Sequence, residues 1–136
     1  MEIDKPYIQQ KDYLNLFAEP DKPYNLSERF FAFAVDVIRK VRTLPDTKEY
    51  SVIIYQVVKA STSVGANYEE AQAAVSKADF ANKIGICLKE AREAHYWIRI
   101  IVATLDQNSG WKPLEVEGAE IKKILGSIYS KVSKKR

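Results

Sequence analysis

Between residues 25 and 136 the chain has almost no residue that would interrupt a helix. Three of its five prolines (Pro6, Pro20 and Pro23) come before residue 24, and the whole sequence has only five glycines. Proline cannot continue a helix and glycine destabilises one, so their scarcity permits long uninterrupted helices. Apolar residues recur here at intervals of three and four, and no window shows the alternation of a buried strand. The sequence therefore predicts an all-α fold.

Capping residues and turn residues divide this region into four helices, predicted at about residues 26–43, 46–75, 77–106 and 115–134. Asn25 and Glu28 form a capping-box-like start for the first helix, which Pro45 ends. Ser76, with Asp79 reaching back, starts the third helix, and "QNSGWKP" separates the third from the fourth. Short connections make consecutive helices antiparallel, so we predict an up-down-up-down four-helix bundle formed by residues 25–136.

Each helix has an apolar stripe that would face the core. In the first helix the stripe is Phe30, Ala34, Val37 and Val41, with Phe31 and Ile38 flanking it. The stripe of the second helix begins at Ile53 and extends to Val75.

Residues 1–24 form a short N-terminal extension outside the bundle pattern. The extension has five acidic and three basic residues, and its large apolar side chains include Tyr7, Ile8, Tyr13, Leu14, Leu16 and Phe17. Apolar side chains in this number favour burial. We therefore expect the extension to pack on the bundle or on a neighbouring subunit.

The composition is that of a soluble globular protein, with 46% hydrophobic and 29% charged residues. Cys87 is the single cysteine, so an internal disulfide is excluded. No apolar run has the length of a membrane span and no signal peptide is evident, so we expect a cytoplasmic protein with no membrane partner. The net charge of +3 is compatible with weak attraction to nucleic acid and does not require it.

Two segments, "ASTSVGANYEEAQAA" and "ADFANKIGICLKEAREAHYWIRII", resemble the 23S rRNA-intervening sequence proteins, whose relatives include the accessory proteins of diversity-generating retroelements. The family's second helix reads approximately Ser-Ile-x-x-Asn-Ile-x-Glu-Gly. The matching residues here are Ser63, Val64, Asn67, Tyr68 and Glu70, with Ala71 in place of the glycine. In the third helix they are Phe80, Ile86, Lys89, Glu90 and Glu93, while Cys87 and Ala94 depart from the pattern by small-for-small exchanges.

The resemblance covers residues from about 26 to 132 and leaves out the extension. It implies a small bacterial bundle that assembles as a ring-like homopentamer. Much of the family has no known biochemical role. The retroelement accessory proteins bind nucleic acid and a reverse transcriptase, so RNA or DNA is a candidate partner here.

A second apolar line lies on the outer face of the third helix. Ile86, Glu93 and Ile100 are each seven residues apart, and Tyr96 faces the same way. Large apolar residues on a face turned away from the core are typical of a protein contact. These four residues are the candidate subunit interface, and incidental surface apolar residues are the alternative.

No catalytic residue, metal site or cofactor is predicted. A di-iron bundle needs a Glu-x-x-His pair on each of two helices, whereas this chain has one histidine, His95, and Arg92 stands three residues before it. Cys87 and His95 lie about 12 Å apart along one helix, too far for a nucleophile–base pair. His95 fits a hydrogen-bonded residue at the edge of the core. An enzyme centred on Asn67, Glu70, Glu93 and His95 is the remaining alternative.

Asn67 and Glu70 are predicted to lie at the border of the apolar stripe of the second helix. A carboxylate in that position must be neutralised, and Lys77 or Lys83 at the start of the third helix could do this. We interpret the two residues as a candidate polar layer that fixes the register of the helices. A functional pocket is the alternative.

The C-terminus carries four basic residues that are candidates for nucleic-acid binding: Lys131, Lys134, Lys135 and Arg136. Phosphate attraction of this kind falls steeply with salt. The alternative is a solvated helix end whose lysines complement the helix dipole. Together these features predict a non-enzymatic homo-oligomer that acts as a binding or scaffold protein for RNA or DNA, with a protein-binding adaptor as the alternative.

Overall fold

A computed structural model describes residues 25–105 and 110–134. These residues form four helices: α1 (Leu26–Val41), α2 (Lys48–Gln72), α3 (Lys77–Thr104) and α4 (Lys112–Val132). No strand occurs in either range. The prediction of an all-α bundle is confirmed.

Side-chain caps fix where three of the helices begin. The Asn25 side chain accepts hydrogen bonds from the backbone N–H groups of Ser27 and Glu28, and Thr47 caps α2. Ser76 accepts from the N–H of Asp79 at 3.0 Å. These bonds satisfy donors that a helix start otherwise leaves without partners.

Two helix boundaries differ by three residues from those predicted, and the others agree within two residues. α4 begins at Lys112 rather than at about residue 115, because Pro113 is compatible with the first helical turn, where its missing N–H costs nothing. α2 ends at Gln72 rather than at residue 75, and Val75 is consequently 79% exposed. Gly110 precedes α4 with a φ of +87°, a conformation that residues with side chains rarely adopt.

Polar contacts at both ends show that α2 and α3 are antiparallel. The hydroxyls of Tyr50 and Thr104 lie 2.7 Å apart and join the start of α2 to the end of α3. At the opposite end of the pair, Lys83 Nζ donates to Glu70 Oε1 at 2.6 Å.

Contacts between α3 and α4, and between α1 and α2, show that these pairs are antiparallel as well. On the α3–α4 seam, Gly85 lies against the Tyr129 ring and His95 lies against Gly118. On the α1–α2 seam, residues 42–47 connect the helices and the Phe30 ring packs on a residue near the end of α2, Tyr68. Each consecutive pair is therefore antiparallel, and the bundle has up-down-up-down topology.

The core runs the length of the bundle and is almost entirely apolar. Phe30 and Tyr68 meet edge to face with ring centroids 5.0 Å apart. Trp111 is fully buried, and its indole N–H has no hydrogen-bond partner within residues 25–105 and 110–134. The polar exceptions among the described residues are Ser61, which is fully buried, and Arg29, which is 2% exposed.

Candidate nucleic-acid interface

The core face of α3 separates two flanks with different neighbours. The core face comprises Phe80, Ile84, Cys87, Ala91, Ala94, Ile98 and Ile101. Lys83 and Thr104 mark the flank that contacts α2. Gly85 and His95 mark the flank that contacts α4.

The four candidate subunit-interface residues differ in exposure. Ile86, Glu93 and Ile100 are half-buried, whereas Tyr96 is 53% exposed. Ile86 is five full turns before Thr104 and so shares its angular position, on the flank that faces α2. Contact with α2 therefore accounts for part of its burial. A subunit contact through these residues stays a prediction, with Tyr96 as the member most available to a partner.

Two contacts hold the exposed aromatic ring of Tyr96 in place. It packs edge to face on Trp97, with ring centroids 5.4 Å apart. The Trp97 indole N–H in turn donates to Glu93 Oε2 at 3.3 Å. The Tyr96 ring is thus exposed to solvent and is held in position by its contact with Trp97.

Two open grooves lie along the outer side of α3, and the second is shared with α4. The first has a volume of about 650 Å³ and is lined by Gly85, Leu88, Lys89, Arg92, Glu93 and Tyr96. The second has a volume of about 430 Å³ and is lined by Lys77, Ala78, Ala81, Asn82, Tyr129, Val132, Ser133 and Lys134. Gly85, which lines the first groove, contacts Tyr129, which lines the second groove. The two grooves are therefore adjacent.

Basic side chains follow the α3–α4 seam over most of its length. We call them the basic track: Lys77, Lys89, Arg92, Arg99, Lys122 and Lys134. At about 1.5 Å per residue, the α3 members extend over roughly 33 Å. Within residues 25–105 and 110–134, Lys89, Arg92 and Arg99 form no ion pair, and neither does Lys122. These four cations on the seam are therefore not paired with any acid of the described chain.

His95 lies within the basic track and responds to its charge. Its Nδ1 is 3.2 Å from Lys122 Nζ. Because a protonated lysine can only donate, Nδ1 accepts and the imidazole is neutral. Burial, followed by the charges of Lys122 and Arg99, lowers the pKa of His95 below its usual 6.5, although Glu115 partly opposes this.

This lowered pKa predicts that acid destabilises the bundle through His95. The unfolded chain binds the imidazole proton more readily than the folded chain, so stability falls as pH drops below about 6.5, the unfolded value. Urea unfolding between pH 8 and pH 5 measures the effect. His95→Gln is the matched control, because it keeps a polar side chain that cannot titrate. An unchanged pH dependence in this variant would contradict the assignment.

Cys87 is a fully buried core residue. Burial raises the pKa of its thiol to about 12, so the group is neutral at physiological pH. In the part of the chain that the structure describes, no three His, Cys, Asp or Glu side chains are grouped to hold a metal ion.

Asn67 and Glu70 lie on α2, and the structure does not bring their side chains into a common buried layer. The Asn67 amide donates to the Ser63 carbonyl within its own helix at 2.9 Å. The Glu70 side chain is 59% exposed and pairs with Lys83. Any role in helix register would therefore act through this surface ion pair, which joins α2 to α3.

Of the four predicted C-terminal basic residues, two lie in the described chain. Lys131 is in the last turn of α4 and Lys134 follows it, both exposed. Lys135 and Arg136 lie outside the described residues. The sequence pattern did not identify the basic track, because Lys122 reaches the same seam from another helix.

The described residues contain no helix that is both long and apolar enough to cross a membrane.

The antiparallel bundle, with its buried apolar core and its line of outward basic residues, places the molecule among small all-α helical-bundle proteins. Residues 23–127 match the model of a family described as 23S rRNA-intervening sequence protein. The chain belongs to this family, and the resemblance noted in its sequence is confirmed.

A solved structure supports the same assignment. It is a protein of unknown function from the S23 ribosomal protein family of Bacteroides thetaiotaomicron, and its TM-score to this chain is 0.69. The two are 33% identical, and the alignment covers 77% of this chain and 98% of the other. No curated protein matches at a significant level.

Proposed function

We propose that this protein is a non-enzymatic, cytoplasmic homo-oligomer that binds single-stranded nucleic acid along the basic track. The observation that carries the proposal is the group of four cations on the track, Lys89, Arg92, Arg99 and Lys122, that form no ion pair within the described residues. Phosphate groups are the polymeric anions that such a line of lysines and arginines attracts.

Aromatic side chains in both grooves favour nucleic acid over other polyanions. Tyr96 and Tyr129 are 53% and 37% exposed and lie beside the basic residues. Bases of a single strand stack on such rings with little sequence preference, at about 1–3 kcal/mol per base. The grooves are open, which suits a flexible strand better than a small enclosed ligand.

Assembly would strengthen binding that is weak in one subunit. In the homopentamer that the family resemblance implies, five copies of a chain with net charge +3 would carry +15. Several tracks on one particle raise the effective concentration of each for a shared strand.

The test compares two double charge reversals that change the net charge equally. Lys89→Glu with Arg92→Glu removes two cations from the basic track, whereas Lys48→Glu with Lys59→Glu alters exposed positions on α2. Fluorescence anisotropy with a labelled mixed-sequence single-stranded RNA, read from 50 to 300 mM salt, measures affinity. The track variant should lose at least about tenfold in affinity, and its log–log salt slope should fall by about 1.4, for two lost phosphate contacts.

Equal losses of RNA affinity in both variants would show that only net charge matters. This result would contradict binding along the basic track. Absence of RNA binding at 50 mM salt would overturn nucleic-acid binding and favour the protein-binding adaptor. Light scattering on the same samples gives the mass of the particle. A monomer at all concentrations would overturn the oligomer.

A further inference from the structure

α1 and α4 are separated by a groove of about 510 Å³ along their outer side. Its floor is apolar and is formed by Ala32, Phe33, Pro113 and Leu114. At one end Arg29 bridges the two helices through Glu117 and Glu120. Beyond that bridge the seam is open.

The far end of the groove is positively charged. Arg39 and Lys40 line it, and neither forms an ion pair within the described residues. Asp36, the acid nearest to them along α1, pairs with neither. The groove thus combines an apolar floor with unneutralised positive charge at the end remote from Asn25.

We propose that the N-terminal extension, residues 1–24 of the same chain, docks in this groove. The extension joins the bundle at Asn25, at the end of α1 that lies nearest the Arg29 bridge. Its sequence supplies the two kinds of group that the groove lacks: apolar side chains between Tyr13 and Phe17, and an excess of acidic residues.

The order of these groups along the extension matches the order of features along the groove. Pro20 and Asp21, followed by Pro23, are typical of a turn, which would reverse the chain beside Asn25. The apolar residues Tyr13 to Phe17 would then reach the floor at Phe33. The carboxylates of Glu2, Asp4 and Asp12, which precede them and outnumber the two lysines of the same segment, would meet Arg39 and Lys40.

The reach is sufficient for docking within one chain. At about 1.5 Å per residue, Phe33 and Lys40 lie roughly 12 Å and 22 Å from Asn25 along α1. An extended chain spans up to about 3.3 Å per residue, so 24 residues can turn back and still cover this distance. Covalent attachment keeps the extension at an effective concentration in the millimolar range, which favours its own groove over that of a neighbour.

Disulfide trapping in the full-length chain tests the proposal. Ala32→Cys places an exposed thiol on the groove, and Leu14→Cys or Leu16→Cys places one on the extension. Lys59→Cys on α2, combined with the same extension positions, is the matched control. Cys87 is buried and stays neutral, so it can be kept.

Under mild oxidation we expect at least one groove pair to crosslink within a single chain, at least tenfold faster than its Lys59→Cys control. Adding Arg39→Glu with Lys40→Glu should slow that crosslink several-fold. Equal rates for groove and control pairs would overturn docking. Crosslinks between chains, seen as dimers on a denaturing gel, would overturn docking within one chain. Both outcomes are independent of RNA binding, which lies on the α3–α4 seam.

Discussion

Replacing Arg29 with alanine is expected to lower the free energy of unfolding by about 3 kcal/mol. Arg29 is 2% exposed, and its guanidinium donates to both carboxylate oxygens of Glu117, at 2.8 Å and 3.0 Å. A third bond reaches Glu120 at 2.7 Å. The hydrogen bond to Glu117 is the main reason that the pKa of Arg29 is raised.

The expected loss lies at the low end for a broken buried pair because the acids are not fully buried. Glu117 and Glu120 are 24% and 34% exposed, so water can hydrate them once the guanidinium is removed. Urea unfolding at neutral pH measures the change. Arg42→Ala, at the exposed C-cap of the same helix, is the control and should change stability by less than about 0.5 kcal/mol. A loss below about 1 kcal/mol for Arg29→Ala would contradict a stabilising role for the bridge.

Replacing Phe30 with alanine is expected to cost about 4 kcal/mol. Phe30 is fully buried, so truncation removes its apolar surface from the core and leaves a cavity beside Tyr68. The edge-to-face contact with the Tyr68 ring adds about 0.5–1.5 kcal/mol to the burial. Thermal and urea unfolding of the purified variant would both show the loss.

Phe31 provides a matched control one residue away. The same substitution there removes a ring that is 65% exposed, and we expect a change within about 0.5 kcal/mol. Comparable losses for Phe30→Ala and Phe31→Ala would show that α1 is rotated about its axis relative to the structure described here.

The same two phenylalanines show what the sequence pattern can and cannot decide. The spacing of three and four predicted the helix and its stripe, but it placed Phe31 beside that stripe and left Phe33 out. The structure buries Phe33 and exposes Phe31. The rotation of α1 is set by its contacts with other helices, Phe30 on Tyr68 and Arg29 on Glu117, which local spacing does not specify.

Some features of the candidate site could also be predicted from the sequence, and others could not. The ion pair between Glu70 and Lys83 could be anticipated, because both residues lie near one short turn. The basic track could not, because Lys122 and Arg92 are distant in sequence and meet only along the α3–α4 seam. The groove between α1 and α4 likewise depends on the spacing of packed helices, which no single helix determines.

The two tryptophans, Trp97 and Trp111, lie in different environments, so their fluorescence reports on different events. Trp111 is buried in the core, and its indole N–H has no hydrogen-bond partner among the described residues. In such an apolar environment, the fluorescence emission of indole is shifted to the blue. Trp97 is partly exposed, supports Tyr96 and lies next to the first groove. A strand that stacks on Tyr96 should therefore perturb the Trp97 fluorescence and leave that of Trp111 unchanged, whereas loss of the core should alter Trp111. Intrinsic fluorescence can thus separate occupancy of the surface from opening of the bundle without any added label.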